Sequence, residues 1–237
     1  MSEYLLPIIS KKFISENVMA VTFDTSGTDF SFKSGQYISV RIIDPANEDY
    51  KNNIRSFSIA NPPHIKNEIT VVMRISDSGF SKNILESTPG MIVAISSPMG
   101  DLHLEKNAHI SDVFIAGGVG ITPFKSIIED LLHTGHANEI ILFYSNRSRN
   151  AAAFLEEFTM LCQKYPNFKF IPIIDDTNDE EWKHEKGFIT SDMLKKYIPD
   201  FSKPVFHIVG PPLMVDSLLK ILNDNGVKNT HIRTEKY

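Results

Sequence analysis

The chain has 237 residues, of which 42% are hydrophobic and 22% charged, and its formal net charge is -5 at pH 7. This length and composition allow one or two domains with buried cores and exclude a disordered or collagen-like chain. The charge lacks the basic excess that binding along a nucleic acid requires, so no nucleic-acid partner is expected. The single cysteine excludes an intramolecular disulfide.

Two further features bear on location. No apolar run approaches the ~18 residues of a membrane-spanning helix, so no membrane span is expected. The amino terminus lacks a basic region followed by a long apolar stretch, which is the pattern of a secretion signal. Together with the single cysteine, these features predict a cytoplasmic protein.

The first half of the chain, up to about residue 104, is predicted to form a small antiparallel β-barrel with Greek-key connections. Short segments rich in β-branched residues alternate with Gly and Pro, which is typical of closely spaced antiparallel strands. The predicted strands are Asn17 to Thr25, Gln36 to Ile43, Ile54 to Ala60, Glu68 to Ile75 and Met91 to Ser96. Closure into a barrel removes exposed strand edges. A short helix is expected at Ser81 to Glu86, with Ser81 as its capping residue.

After about residue 107, strands alternate with amphipathic helices, which predicts a five-stranded parallel sheet with helices on both faces. The predicted strands are Val113 to Ala116, Ile140 to Ser145, Phe168 to Ile174, Val205 to Val209 and Asn229 to Arg233. The clearest helix is Ala151 to Tyr165, whose apolar stripe includes Cys162 and indicates a packing role for that thiol. We therefore predict an α/β domain at 107–237 after a barrel domain at 1–106, with a ligand cleft between them.

A glycine turn follows the first predicted parallel strand, in the sequence Gly117-Gly118-Val119-Gly120-Ile121-Thr122-Pro123. Glycines let the backbone turn sharply, Thr122 can cap a helix at Phe124 to His133, and Pro123 suits its first position. Amides at such a helix start favour a phosphate. The third glycine of the dinucleotide fingerprint is missing, so the turn alone leaves a nucleotide site and a plain strand-to-helix turn both open.

Five short motifs follow one another along nearly the whole chain. They are Arg55-Ser56-Phe57-Ser58, Gly79-Phe80-Ser81, the glycine turn, Val209-Gly210-Pro211-Pro212-Leu213-Met214 and the ending Thr234-Glu235-Lys236-Tyr237. In this order they resemble the ferredoxin-NADP reductase superfamily of flavoprotein oxidoreductases, and the first matches the flavin motif R-x-[YF]-[ST]. The resemblance implies FAD, or alternatively FMN, on the barrel and NADPH or NADH on the second domain.

The resemblance also implies roles for the motif residues. Arg55 and Ser81 would anchor the flavin phosphate, while Ser58 would border flavin N5, where hydride arrives. The remaining implied flavin contacts are Ser56, Phe57, Gly79 and Phe80. Strict strand alternation places Ser58 on the opposite face from Arg55.

On the second domain, the resemblance implies that the glycine turn receives the dinucleotide through Gly117, Gly118, Gly120 and Thr122. The loop with Gly210, Pro211 and Met214 would face the nicotinamide end. The ring of Tyr237 would cover the flavin until nicotinamide displaces it, with Glu235 close to the reacting centre; a frayed tail is the alternative. The candidate catalytic residues are therefore Ser58, Glu235 and Tyr237.

Two departures from the family pattern matter. Phe57 replaces the commoner tyrosine, and the lost phenol hydrogen bond weakens flavin binding by about 1 kcal/mol. A reductase of free flavin is therefore an open alternative, as is a non-catalytic nucleotide-binding subunit or redox sensor. Val209 stands where many relatives have cysteine, which removes one positioning contact.

The electron donor and acceptor are less defined. After the second parallel strand, Arg147 and Arg149 could meet a 2'-phosphate and no acidic residue stands ready for a 2'-hydroxyl, which favours NADPH. Both arginines could equally be solvated or contact the pyrophosphate. No cysteine cluster can hold an iron-sulfur centre, so a separate acceptor such as ferredoxin, flavodoxin or an oxygenase component is expected.

Two other patterns are discounted. The pair His133-x-x-His136 lacks further ligands in register, so no metal site is predicted. The acidic run at 175–181 is most simply a solvated loop, although its position could make it line the cleft.

Overall fold

The computed structural model describes residues 3–43, 53–102 and 111–236. These residues form two compact units, one of 3–43, 53–102 and 122–134 and the other of 111–121 and 135–236. The helix after the glycine turn therefore belongs to the first unit by its contacts, although it lies in the second half of the sequence. The predicted boundary between residues 106 and 107 lies outside the described residues.

The first unit contains a six-stranded antiparallel sheet. Its strands are β1 (Glu3–Ser15), β2 (Val18–Asp24), β3 (Tyr37–Ile42), β4 (Ile54–Ser58), β5 (Glu68–Arg74) and β6 (Ile92–Ser96). The sheet order is β4-β3-β6-β1-β2-β5, and its two ends meet where Ile59 pairs with Val71 and the amide of Ala60 donates to the carbonyl of Thr70 at 2.7 Å. The predicted antiparallel barrel is confirmed.

Strand β1 was not predicted from the sequence. This strand contains Pro7 and the polar run Ser10-Lys11-Lys12, and its pairing with β2 has register shifts after Ile8 and Phe13. The alternation of buried and exposed residues is consequently irregular, so no period-2 pattern marks the strand. Leu6 and Ile8 nevertheless point into the barrel core and are fully buried.

Helix α1 (Gly79–Glu86) packs Phe80 and Ile84 into that core. Its capping residue is Ser78, whose side chain accepts a hydrogen bond from the amide of Ser81, so the predicted cap at Ser81 is wrong. Ser78 and Ser81 are both residues that commonly cap a helix, and the earlier of the two is the cap in this structure. Lys11 from β1 holds the other end of the helix by donating to the carbonyls of Ile84 and Leu85, each at 2.8 Å.

The helix α2 (Ile121–His133) also packs within the first unit. The hydroxyl of Ser126 donates to the carbonyl of Asn61 at 2.8 Å, and Ser34 donates to Asp130 at 3.0 Å. The rings of His64 and His133 stack with centroids 3.7 Å apart. Burial, and then the neighbouring His133, lower the pKa of His64, against an opposing effect of Asp130.

This lowered pKa predicts a pH-dependent stability. The unfolded chain binds a proton at this histidine more readily than the folded chain, so the free energy of unfolding rises with pH up to the ordinary His64 pKa near 6.5 and is reduced as the pH falls below it. We expect the wild type to melt at a lower temperature at pH 5 than at pH 7.5. His64→Asn should reduce this difference in circular dichroism melts, and an unchanged difference would count against the stacked pair as a source.

The second unit contains a six-stranded parallel sheet with helices. Its strands are β7 (Asp112–Gly117), β8 (Ile140–Asn146), β9 (Phe168–Ile174), β10 (Glu185–Lys186), β11 (Val205–Gly210) and β12 (Ile232–Lys236), in the order β10-β9-β8-β7-β11-β12. Its helices are α3 (Leu155–Lys164), α4 (Ser191–Tyr197) and α5 (Pro212–Asp224). The predicted parallel α/β architecture is confirmed.

The sheet has six strands rather than the predicted five, because the two-residue strand β10 pairs with the end of β9. The strand predicted at Asn229 to Arg233 begins as a 3-10 turn at Asn229–His231 and continues as β12. Turns of this kind and strands of two residues carry no periodicity that a sequence pattern can show.

Two predicted helix starts are also wrong. The helix predicted from Ala151 begins only at Leu155, because Phe154 adopts a left-handed conformation with φ 60°. Cys162, on this helix, is half-buried. The helix predicted from Phe124 begins at Ile121, directly after a 3-10 turn at Gly118–Gly120, so Thr122 lies inside the helix rather than capping it.

Among the described residues, no helix is both long and apolar enough to cross a membrane.

Candidate functional site

The parallel sheet has a point where its strand order reverses. The chain passes from β7 to β8 and β9 on one side, then returns to the other side of β7 with β11 and β12. Ligands of such sheets bind beyond the carboxyl ends of the strands at this reversal. The reversal lies between β7 and β11, and these two strands end at Gly117 and Gly210.

The glycine turn and the Gly210 loop, which the sequence analysis singled out separately, meet at this point. A Cβ atom added to Gly117 would lie 2.6 Å from Met214 Sδ and 2.9 Å from Pro211 Cδ. A Cβ atom added to Gly210 would lie 3.3 Å from the backbone nitrogen of Gly117. Glycine at both positions lets the two strand ends approach this closely without a shift of their neighbours, and the arrangement suits a ligand that lies against the backbone.

This packing predicts the effect of Gly117→Ala. The new methyl group collides with Pro211 and Met214, so the loop after β11 must shift. We expect NAD⁺ to bind on the order of tenfold more weakly, as measured by calorimetry, with far-ultraviolet circular dichroism as the control for folding. Met214→Ala in the same background should recover part of the loss by removing the nearer contact. Wild-type affinity in Gly117→Ala would show that the loop is not held by this packing.

The carboxyl end of β8 supplies a third edge of the same region. Asn146 is buried there, and its Oδ1 atom has no hydrogen-bond partner among the described residues. Such a buried polar atom is costly unless a ligand or water satisfies it, so its presence fits a bound dinucleotide. Arg147 is exposed, whereas Arg149 is paired with the carboxylates of Asp179 and Glu181. Of the two arginines that could meet a 2'-phosphate, Arg149 is thus paired with carboxylates in this structure.

Glu235 lies on β12, opposite Val209 of β11. Its side chain is exposed, yet the surrounding protein removes enough water from the carboxyl group to raise its pKa. The neighbouring Lys236 forms an exposed ion pair with Asp216 of α5 at 2.6 Å. Tyr237, the third candidate catalytic residue, lies outside the described residues.

In the first unit, the predicted flavin motif occupies β4. Cross-strand register places Arg55 opposite Val40 and Phe57 opposite Ile38, whereas Ser58 lies opposite Tyr37 on the other face. The guanidinium of Arg55 lies over the Phe80 ring, 5.9 Å from its centroid, and donates to the carbonyl of Ile54 at 2.8 Å. The fold thus holds the Arg55 fork at a defined place on the barrel, as a phosphate site requires.

Phe80 also packs against Phe57, with ring centroids 5.6 Å apart. It is 1% exposed, so its side chain supports Arg55 and Phe57 from the core. Ser56 is exposed and its hydroxyl lies 3.0 Å from that of Ser39. The contacts of Phe80 with Arg55 and Phe57 bring the first two sequence motifs together on one side of the barrel.

The start of α1 is ordered by three serines. The buried hydroxyl of Ser81 accepts a hydrogen bond from the amide of Ser76 at 3.2 Å and lies 3.3 Å from the hydroxyl of Ser78. Its amide donates to Ser78, so Ser81 serves the loop before the helix in this structure. A guanidinium, hydroxyl groups and a helix start make a donor set that fits a flavin phosphate.

Three residues that shape these sites were not predicted from the sequence. Ser78 carried the same capping signal as Ser81, and Asn146 stood in the segment after the second parallel strand without being singled out. Lys11 carried no signal at all, because it contacts α1 across more than 70 positions of sequence. Among the described residues, no group of three His, Cys, Asp or Glu side chains is placed to hold a metal ion.

Two family models match this chain. The oxidoreductase FAD-binding domain matches residues 5–104, and the oxidoreductase NAD-binding domain matches residues 114–220. Together they cover both compact units in the predicted order. The matches confirm FAD and a nicotinamide dinucleotide as the predicted cofactor and co-substrate.

Among curated relatives, the reductase component DmpP of phenol 2-monooxygenase from Pseudomonas sp. is 29% identical over 87% of this chain and 58% of that protein. One component of the Na(+)-translocating NADH-quinone reductase of Klebsiella pneumoniae is 32% identical over 78% of this chain and 49% of that protein. The chain thus spans about half to three fifths of the length of these relatives.

The fold is also found in solved structures. A ferredoxin NADP+ reductase from Neisseria gonorrhoeae, with bound FAD and NADP, superposes with a TM-score of 0.82 at 17% identity, over 100% of this chain and 99% of that one. This chain therefore matches an FAD-binding domain followed by an NAD-binding domain, and its fold is also that of the solved reductase. The chain belongs to the ferredoxin-NADP reductase superfamily of flavoprotein oxidoreductases.

Proposed function

We propose that this protein carries electrons from a reduced nicotinamide dinucleotide, through FAD, to a separate acceptor. The observation that carries the proposal is the meeting of Gly117 and Gly210 at the point where the strand order reverses, in a chain that also has an FAD-binding domain. A bound flavin supplies the ability to accept a hydride and to release electrons singly or in pairs. The protein's part is to bind and orient the two cofactors.

On the barrel, we assign Arg55 to the flavin phosphate. Its fork is held by the Ile54 carbonyl and by the Phe80 ring, so little freedom is lost when it binds an anion. Ser58 lies on the opposite face of β4 and is assigned to the ring system of the flavin. Ser56 and the start of α1 at Gly79 complete the site, with Ser81 ordering the preceding loop.

On the parallel sheet, we assign Gly117, Gly118, Gly120 and Thr122 to the dinucleotide, with Gly210, Pro211 and Met214 at its nicotinamide end. The close packing of Met214 against Gly117 fixes the floor of this region. Glu235, whose pKa is raised, is assigned to the neighbourhood of the reacting atoms, where it can hold a proton more readily than an ordinary carboxyl group. The ring of Tyr237 is proposed to cover the flavin until nicotinamide displaces it.

The acceptor is proposed to be a separate protein. One relative is named as the reductase component of a monooxygenase and another as part of a quinone reductase. Both names describe one component of a multi-component enzyme. We therefore favour an oxygenase component or a small electron carrier such as ferredoxin or flavodoxin.

A second candidate is the reduction of free flavin, and one observation favours it. Phe57 packs its ring on Phe80 and has no hydroxyl to bond the flavin. Loss of one hydrogen bond lowers flavin affinity by roughly tenfold or less. FAD would then exchange with solution more readily than in relatives that carry tyrosine.

The absorbance spectrum of the purified protein distinguishes these functions. Under the first proposal, the protein is yellow with close to one FAD per chain, and the colour is bleached by NADH or NADPH without air. A colourless protein that oxidises the nicotinamide only after flavin is added would support the free-flavin reductase. Tight binding of both cofactors without any bleaching would contradict both functions and favour a non-catalytic sensor.

A further inference from the structure

Arg149 is already occupied by an acidic loop. Its Nη2 atom lies 2.8 and 3.1 Å from the two carboxylate oxygens of Asp179, and its Nη1 atom lies 3.1 Å from Glu181 Oε2. The sequence alone offered two arginines after β8 as partners for a 2'-phosphate. One of them is therefore neutralised by carboxylates about 30 residues further along the chain.

The loop holds Asp179 firmly in this position. Asp179 Oδ1 also accepts hydrogen bonds from the amides of Glu181 and Trp182, at 3.1 and 3.2 Å. The indole of Trp182 is buried and donates to the carbonyl of Glu185 at 2.9 Å, while Lys186 donates to the carbonyl of Asp179 at 2.6 Å. Asp179 cannot turn away from Arg149 without breaking this local structure.

The same loop begins against the residues that follow β8. The amides of Asp175 and Asp176 donate to the carbonyls of Asn146 and Arg147, at 2.8 and 3.2 Å. In sheets of this type, the residues after the second strand decide between a 2'-hydroxyl and a 2'-phosphate. Five carboxylates at 175–181 stand beside four cations, namely Arg147, Arg149, Lys183 and Lys186, so negative charge is in excess there. A phosphate monoester, with a charge near -2 at neutral pH, meets excess negative charge at this position.

We infer that Asp179 and Glu181 make this protein specific for NADH, by occupying Arg149 and by repelling a 2'-phosphate. The inference rests on the proposed function and specifies its electron donor. The sequence alone favoured NADPH, because Arg147 and Arg149 follow the second parallel strand and no acidic residue stands beside them. The inference reverses that expectation, because the carboxylates that pair with Arg149 come from a distant segment of the sequence. Glu181 is the more exposed of the two carboxylates, with 84% of its side chain accessible against 21% for Asp179.

Calorimetric titration of the FAD-loaded protein with NAD⁺ and with NADP⁺ tests the inference without requiring turnover. We expect the wild type to bind NAD⁺ at least about tenfold more tightly than NADP⁺. The double variant Asp179→Asn with Glu181→Gln should bind NADP⁺ about tenfold more tightly than the wild type does, without a matching gain for NAD⁺. Adding Arg149→Gln to the double variant should cancel the gain.

A charge-matched control separates this local effect from the net charge. Glu156→Gln with Asp224→Asn removes two exposed carboxylates from α3 and α5, and NADP⁺ affinity should stay at the wild-type value. If the asparagine disturbs the loop, Glu181→Gln alone should still give a gain of about threefold, because this side chain is exposed. Tighter binding of NADP⁺ by the wild type, or no difference between the acidic-loop variants and the control, would overturn the inference.

Steady-state oxidation of the two reduced dinucleotides tests the proposed function separately. Binding in the expected order without any oxidation would contradict the reductase function and leave the specificity intact. Oxidation with a preference for NADPH would support the reductase function and contradict the inferred specificity for NADH.

Discussion

Replacing Arg55 by alanine is expected to weaken FAD binding by on the order of a hundredfold. The Phe80 ring and the Ile54 carbonyl hold the guanidinium on β4. Loss of a charge-assisted contact to a phosphate costs about 1.5 to 3 kcal/mol. Arg55→Lys should give an intermediate loss, because it keeps the charge but not the fork. Equilibrium dialysis followed by absorbance at the flavin band measures the affinity.

The control for this variant is Arg41→Ala. Arg41 lies on the neighbouring strand, opposite Ile54, and pairs with Glu3 at 2.6 Å. Its removal deletes the same charge from the same sheet, so flavin affinity should remain close to that of the wild type. Equal losses in the two variants would show that Arg55 acts through general charge or folding rather than through a phosphate contact.

Replacing Gly35 by alanine is expected to have the largest effect on stability. Gly35 has φ +88°, and a Cβ atom there would lie 1.9 Å from the carbonyl oxygen of Leu102 and 2.9 Å from Ile127 Cδ1. The isoleucine can rotate, but the backbone oxygen can only move with its chain. Left-handed strain and overpacking together should lower the free energy of unfolding by about 3 kcal/mol or more.

Gly27→Ala separates these two causes. Gly27 has φ +74°, and a Cβ atom there would meet nothing within 4 Å. The variant therefore carries the backbone strain alone, for which a loss of about 1 kcal/mol is expected. Urea unfolding of both variants, followed by circular dichroism, gives the comparison. If Gly35→Ala unfolds at the same urea concentration as Gly27→Ala, the contact with Leu102 is relieved by a backbone shift.

The regular elements were largely predictable because their signals are local. The β5 and β9 segments show β-branched runs bounded by breakers, and the structure places strands there at Glu68–Arg74 and Phe168–Ile174. Irregular elements were not predictable, because they lack such a local signal. β1 has bulges and a proline, and α3 starts late because Phe154 takes a left-handed conformation.

The candidate site was predictable where a short motif encodes it. Arg55 and the glycine turn were singled out because, in order with the other short motifs, they resemble the ferredoxin-NADP reductase superfamily. Asn146 and Lys11 were not found, since their roles depend on burial and on a partner in another element. Burial and pairing are properties of the folded chain. Asparagine and lysine occur in many structural roles, so the residue type alone does not predict either contact.

The sequence by itself determined the two-part architecture and the order of the cofactor-binding motifs, because strand and helix periods and glycine positions are written in neighbouring residues. Only the tertiary structure decided that Gly117 and Gly210 meet, and that Arg149 is bound by Asp179 rather than left to a phosphate. These contacts join segments separated by about 90 and 30 positions. Their energies depend on distance in space, which the folded backbone alone sets.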